Sequence, residues 1–193
     1  MLDGGRTIAR RPVRDPPRFS VGINYWPRRS ALAMWQLFDA GEIAEDFGRI
    51  AALGLDTVRI FLRWDDFAPQ RDAVDRTMLA RFESVVELAA AAGLRVMPVL
   101  FCGYASGINV LPAWSLDRSR PHGRFRTFSE NAESPFGIGK MFAGPLLDAQ
   151  ALFARAVGER LRGHATIAAW DIGHAFSNVR EPASARVSSG EHS

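Results

Sequence analysis

The sequence predicts an α/β fold of about four parallel βα units, which is an incomplete TIM (β/α) barrel. Apolar, β-rich segments alternate along the chain with segments whose apolar residues recur at helical intervals. A helix-to-strand joint occurs twice, as Ala-Leu-Gly-Leu at 52–55 and Ala-Ala-Gly-Leu at 91–94. Such an order requires parallel pairing through right-handed crossovers. The length of 193 residues falls short of the roughly 250 residues of a complete barrel of this type.

Each predicted element has a local signal. Strands are expected at 19–26, 57–62, 95–101 and 166–172. Helices are expected to start after Asp39, after Asp75 and at Pro145, and to end at Gly54, Gly93 and Gly163.

Two segments depart from this regular pattern. Pro98 predicts that the third strand bulges or leaves the sheet, since proline cannot donate to a ladder. No periodic element is visible between Gly103 and Pro145, so we expect a long functional loop on the carboxyl face of the sheet.

Charge and composition divide the chain into three parts. The net charge of +3 lies entirely in residues 1–18, an arginine- and proline-rich leader, and the rest of the chain is neutral. A nucleic-acid partner is therefore not expected, because a phosphate-binding domain concentrates basic side chains on a folded face. We expect a partial barrel over residues 19–181, with the leader and a polar tail at 182–193 disordered.

Metal, cofactor and membrane signals are missing from the sequence. Cys102 is the only cysteine, and the four histidines show no ligand spacing, so no metal site is expected. No glycine-rich turn follows the first strand, so no cofactor is expected. Without a signal peptide or a long apolar segment, the expected location is the cytoplasm, with no membrane partner.

Chemistry-bearing side chains cluster where the predicted strands end. Aromatic residues at such positions fit a sugar site, because a sugar offers apolar C–H faces for stacking and hydroxyl groups for polar side chains. Each aromatic residue alone is more typical of a barrel core. The strand-end residues are Asn24 to Trp26, Arg59 with Trp64, Phe101 to Tyr104, and Trp170 to His174.

Arg59 lies between Val58 and Ile60 in a strand expected to be covered on both faces. An arginine there must pair with a carboxylate or reach solvent. Asp171 is one candidate partner, and Asp65 or Asp66 is the alternative.

Four segments together resemble the family 5 cellulases and β-mannanases: 21–27, 52–60 with Trp64, 106–114 and 169–173. The resemblance covers about residues 19–182. It implies that Arg59 is the active-site arginine that supports the nucleophilic carboxylate. The substrate-binding candidates are Asn24, Trp26, Arg59, Trp64, Tyr104, Asn109, Trp114, Trp170 and His174.

The same resemblance implies a retaining glycoside hydrolase, whose reaction needs two carboxyl groups about 5–5.5 Å apart. The family has an Asn-Glu pair directly after the glycine of the fourth strand, and this chain has His174 and Ala175 there. The family's nucleophile lies on a seventh strand, for which these four units leave no place. Glu181 and His174 are the residues that could substitute, so we expect a truncated and inactive form with no intact catalytic pair.

Two other functions remain open from the sequence. One is a non-catalytic carbohydrate-binding pseudoenzyme, and the other is an unrelated open α/β ligand-binding protein. The expected partner is an oligo- or polysaccharide. Self-association through the exposed edges of a half-barrel is a further expectation.

Overall fold

The computed structural model describes residues 19–141 and 143–179. The predicted leader, the predicted tail and Glu181 lie outside these residues. The helices are α1 (Ala40–Ala52), α2 (Trp64–Phe67), α3 (Arg76–Ala91), α4 (Gly144–Arg160) and α5 (Phe176–Val179). The strands are β1 (Gly22–Tyr25), β2 (Thr57–Arg63), β3 (Arg95–Cys102), β4 (Tyr104–Ala105), β5 (Ile108–Val110), β6 (Leu116–Pro121), β7 (Thr127–Ser129), β8 (Ala132–Ser134), β9 (Phe136–Ile138) and β10 (Asp171–His174).

A parallel four-stranded sheet forms the centre of the fold, in the order β1-β2-β3-β10. Asn24 pairs in register with Arg59, Thr57 with Arg95, and Gly173 with Phe101. All carboxyl ends therefore meet at one edge of the sheet. The α/β class and the partial barrel predicted from the sequence are confirmed.

The predicted helix boundaries follow from local chemistry. The Asp39 carboxylate accepts a hydrogen bond from the backbone N–H of Glu42, and the Asp75 carboxylate accepts from two N–H groups in the first turn of α3. Pro145 lies in the first turn of α4, where its missing N–H costs nothing. Gly54, Gly93 and Gly163 follow the three long helices with positive φ, as C-terminal glycines do.

The two faces of β2 have different environments. Val58, Ile60 and Leu62 are fully buried in the main apolar core, which also contains residues of α1, α3 and α4 such as Phe47 and Phe153. Arg59 and Phe61 alternate with them and therefore lie on the opposite face of the pleat. In a closed barrel this second face is the interior.

The fourth strand begins later than the sequence predicts. A single bridge joins Ile167 to Val96, and regular pairing with β3 starts only at Asp171, opposite Val99. Pro98 lies in β3 between these two contacts, where the ladder on that side is interrupted. Pro98 therefore lies where the ladder with β10 is interrupted and just before a register shift in the pairing with β2, so no partner strand requires its missing N–H and the predicted irregularity is present.

The segment after β3 is not an unstructured loop. It contains six short strands arranged in two small sheets, β4-β5-β7-β8 and β6-β9. Each strand is two to six residues long, too short for its alternation to be recognised in the sequence. The segment lies at the carboxyl end of the sheet, as predicted.

In the described sheet, β1 and β10 are the edge strands, and each is paired on one side only. Ile172 of β10 is 65% exposed and Ile23 of β1 is 43% exposed. Unpaired strand edges with apolar side chains favour association. No helix in the described ranges is long and apolar enough to cross a membrane.

We expect the 193-residue chain to self-associate through these edges in a concentration-dependent manner. Sedimentation velocity should detect species above the 21.3 kDa of one chain, and Ile172→Lys should shift the distribution towards the monomer. Leu53→Lys is the matched control, because Leu53 is equally apolar, is 79% exposed and follows α1. A wild-type chain that stays monomeric at every concentration would contradict this expectation.

Candidate functional site

Arg59, in the middle of β2, and Asp171, the first residue of β10, form an ion pair at the centre of the site. Two guanidinium nitrogens of Arg59, Nε and Nη2, lie 2.9 Å and 2.6 Å from Oδ2 of Asp171. The other carboxylate oxygen of Asp171 accepts a hydrogen bond from the backbone N–H of Gly173 at 3.0 Å. The side chains are 18% and 27% exposed, so the pair is largely withdrawn from solvent. The partner that Arg59 requires is therefore Asp171, and the alternative partners Asp65 and Asp66 bind Arg63 instead.

Asn24 and His174 complete the polar part of this site. Nη1 of Arg59 donates to Oδ1 of Asn24 at 3.3 Å and lies 3.5 Å from Nδ1 of His174. Burial lowers the pKa of His174, and the positive charge of Arg59 lowers it further, while Asp171 acts in the opposite direction. His174 is therefore neutral at pH 7, and its Nδ1 is available to accept the Arg59 hydrogen bond.

Aromatic rings border the polar group. The rings of Trp26 and Phe61 stack with their centroids 5.0 Å apart and an angle of 9° between planes. The Phe61 ring contacts His174 edge-on at 5.2 Å, and the Arg59 guanidinium lies 4.7 Å from its centroid. Tyr104 lies 6.3 Å from the His174 ring. We call Asn24, Trp26, Arg59, Phe61, Tyr104, Asp171 and His174 the carboxyl-edge cluster.

The cluster contains five of the nine predicted substrate-binding residues: Asn24, Trp26, Arg59, Tyr104 and His174. Two of its members, Phe61 and Asp171, were not among the nine. The alternation of Phe61 with buried Ile60 and Leu62 in β2 is the signal that places it on the same face as Arg59.

Four predicted residues lie elsewhere. Trp64 is fully buried between the rings of Phe101 and Trp114, and Trp114 donates its indole N–H to the carbonyl oxygen of Ala68 at 2.9 Å. Asn109 is also buried and donates its amide to the carbonyl oxygen of Asn178. Trp170 is 41% exposed and lies immediately before Asp171, the first residue of β10.

The chain turns sharply just after β10. Gly173 is covered by Phe176, since a Cβ atom at this position would lie 2.0 Å from the aromatic ring. Ala175 has a φ of 49°, in the left-handed region that residues with a side chain rarely adopt. A non-glycine residue held there marks a backbone fixed by its surroundings. The methyl group of Ala175 has no proton to transfer.

A second polar network lies at the junction of β2 and α2, after the carboxyl end of β2. Arg63 is buried, donates to the carbonyl oxygen of Leu32 at 2.7 Å, and pairs with Asp65 and Asp66. Gln36 donates to Oδ1 of Asp66 at 2.8 Å, whereas Oδ2 lies 3.3 Å from Arg63 Nε without a hydrogen bond. Burial raises the pKa of Asp66 to about 6, the negative charge of Asp65 adds to this, and Arg63 opposes it.

This raised pKa predicts a pH-dependent stability. While it is protonated, the Asp66 carboxyl group favours the folded state. This contribution is lost as the pH rises from 3.8, the ordinary pKa of the group, through about 6, its pKa in the folded chain. Asp66→Asn keeps the acceptor for Gln36 and cannot ionise. The free energy of unfolding of Asp66→Asn minus that of the wild type should therefore rise by up to about 3 kcal/mol between pH 4 and pH 7.5.

Urea unfolding at several pH values measures this difference. Asp72→Asn is the control, since Asp72 is exposed in the connection before α3. Equal pH dependence in the wild type and in Asp66→Asn would refute the assignment.

The described residues contain no group of three or more His, Cys, Asp or Glu side chains that could hold a metal ion. The carboxyl-edge cluster is described by its own side chains. It offers a fixed ion pair, a neutral imidazole, an amide and aromatic surfaces. Such a set can hydrogen-bond hydroxyl groups and stack against an apolar ring face.

Comparison with known proteins identifies structural relatives. No family model and no curated protein matches the sequence. An exo-β-1,4-mannosidase from Opitutaceae bacterium strain TAV5 is 30% identical, with a TM-score of 0.68 over 83% of this chain and 26% of that one. A glutamate-to-alanine variant of GH5_18 from Streptomyces cattleya, in complex with Manβ1-4GlcNAc, is 25% identical, with a TM-score of 0.68 over 84% of this chain and 35% of that one.

A third structure, GH5_18 from Bifidobacterium longum subsp. infantis, is 24% identical, with a TM-score of 0.67 over 80% of this chain and 33% of that one. It supports the fold. The chain spans about a quarter to a third of the length of these structures. The predicted resemblance to family 5 is confirmed.

Proposed function

This chain has the fold of part of a family 5-type glycoside hydrolase barrel, and from that premise we propose that its carboxyl-edge cluster binds a β-1,4-linked mannoside. The observation that carries the proposal is the convergence of Arg59, Asp171 and His174 with the stacked rings of Trp26 and Phe61. Parallel barrels place their ligands at this edge. The partner class is thus an oligo- or polysaccharide.

Mannose is favoured over glucose by the relatives. The structure that is 30% identical is an exo-β-1,4-mannosidase, and the one that is 25% identical contains Manβ1-4GlcNAc. Glucose differs from mannose in the orientation of one hydroxyl group. Polar side chains fixed at the cluster can distinguish the two, since a misplaced hydroxyl leaves a hydrogen-bonding group without a partner.

We further propose that this chain holds the sugar without hydrolysing it. Retaining hydrolysis needs a proton donor and a nucleophile about 5–5.5 Å apart. Ala175 occupies the position that the family resemblance assigns to the acid/base. Asp171 cannot replace it, because its oxygens already accept hydrogen bonds from Arg59 and from the N–H of Gly173. The function is therefore glycoside hydrolase-like binding.

Isothermal titration of the full 193-residue chain with β-1,4-mannotetraose tests the proposal. Trp26→Ala should weaken binding by about tenfold, because it removes one of the two stacked rings, and Trp26 is the partly exposed one. Phe19→Ala is the matched control: Phe19 is 86% exposed and precedes β1, at the amino end of the sheet.

A second titration and an activity assay complete the test. We expect weaker binding of cellotetraose and no new reducing ends after long incubation with mannotetraose. Absence of binding at millimolar sugar, or equal losses in Trp26→Ala and Phe19→Ala, would exclude the cluster as the site. Release of mannose by the chain would exclude the non-hydrolytic assignment.

A further inference from the structure

A basic segment borders the carboxyl-edge cluster. Residues 116–126, which we call the arginine arm, consist of β6 and the connection to β7 and contain four arginines. Arg120 lies near the end of β6, and Arg124 lies in the connection between β6 and β7. Both side chains are exposed.

The four arginines differ in how their charge is balanced. Arg126 forms a bidentate ion pair with Glu133. Arg118 lines a cavity together with Glu130 and Glu133. Arg118, Arg120 and Arg124 take part in none of the ion pairs among the described residues, although Arg118 lies near two carboxylates in that cavity.

A continuous series of contacts joins Arg124 to the cluster. The guanidinium carbon of Arg124 lies 5.3 Å from the centroid of the Phe125 ring, and that ring lies 4.9 Å from Tyr104. Tyr104 is a member of the cluster, 6.3 Å from His174. These contacts place Arg124 next to the aromatic surface that begins at Tyr104.

We propose that the arginine arm recognises a carboxylate on the glycan, so that the ligand is a β-1,4-linked acidic oligosaccharide containing uronic acid residues. The inference rests on the proposed carbohydrate function and specifies its substrate class. A guanidinium presents parallel N–H donors that match the two oxygens of a carboxylate, whereas a neutral hydroxymethyl group offers it a single uncharged acceptor.

The position of the two arginines favours a glycan over a general polyanion. A surface for nucleic acid needs basic residues over a broad folded face, whereas Arg126 is paired with Glu133 and Arg118 shares a cavity with Glu130 and Glu133. The unpaired Arg124 beside the aromatic rings, with the exposed Arg120 on the same arm, fits a chain with one negative charge per sugar.

Two sugars that differ only at C6 test the inference. β-1,4-Mannotetraose and the β-1,4-linked tetramer of mannuronic acid share their linkage and ring stereochemistry, and only the second has carboxylates. Titration calorimetry of the wild-type chain should give about tenfold tighter binding of the mannuronate. This preference should shrink as salt is raised, because exposed charges are screened.

The double variant Arg120→Gln/Arg124→Gln should lose the preference and keep its affinity for the neutral tetramer. Arg155→Gln is the matched control, because Arg155 is an exposed arginine on α4, and it should retain the preference. An unchanged affinity for β-1,4-mannotetraose also shows that the double variant is folded.

Each outcome has a distinct meaning. Equal affinity of the wild type for both tetramers, with neutral binding intact, overturns the acidic-glycan inference and leaves the proposed function standing. Binding of neither tetramer overturns both. Polyglutamate or an oligonucleotide that binds as tightly as mannuronate overturns the inference, because the arm would then attract any polyanion.

Discussion

The ion pair between Arg59 and Asp171 determines the arrangement of the carboxyl edge. It joins β2 to β10 across the intervening strand β3, between residues 112 positions apart in sequence. A partly buried arginine without a carboxylate would be costly, so each side chain constrains the position of the other. The same carboxylate holds the backbone of Gly173, and the same guanidinium contacts Asn24 and His174. One charge pair thereby positions the polar side chains of three strands.

The aromatic part of the site is held from the other side, by α1. The backbone N–H of Arg29 and the hydroxyl of Ser30 both donate to the buried carboxylate of Glu42, and Tyr25 donates to Asp46. These contacts fix the chain on both sides of Trp26. Burial of Tyr25 and the negative charge of Asp46 raise the pKa of Tyr25 well above its ordinary value, so this hydroxyl stays a donor. Helix α1 therefore fixes the connection that places Trp26 against Phe61.

Local signals in the sequence predicted the regular elements, and they failed where the structure depends on distant partners. Asp39 and Gly54 mark the ends of α1 through contacts within a few residues, so their roles are visible in the sequence. The need of Arg59 for an acid was also predictable, but Asp171 could be named only as one candidate. The register between β3 and β10, which pairs Asp171 with Val99, determines which carboxylate meets Arg59.

Aromatic residues were the least predictable part of the site. Trp26 and Trp64 both follow a strand, yet one borders the cluster and the other is core, because α2 turns Trp64 towards Phe101. The small sheets after β3 were missed, since their pairing partners are separated by turns without apolar alternation. These strands bring Tyr104 and Phe125 together, which composition alone did not indicate.

The pKa of His174 reports most directly on whether the central ion pair exists as described. Proton NMR titration, with the resonance assigned by His174→Gln, measures it in the wild type, in Arg59→Gln and in Asp171→Asn. Since Arg59 lowers this pKa and Asp171 raises it, the first variant should raise the value and the second should lower it further. A pKa that is the same in all three proteins would show that His174, Arg59 and Asp171 do not share one site.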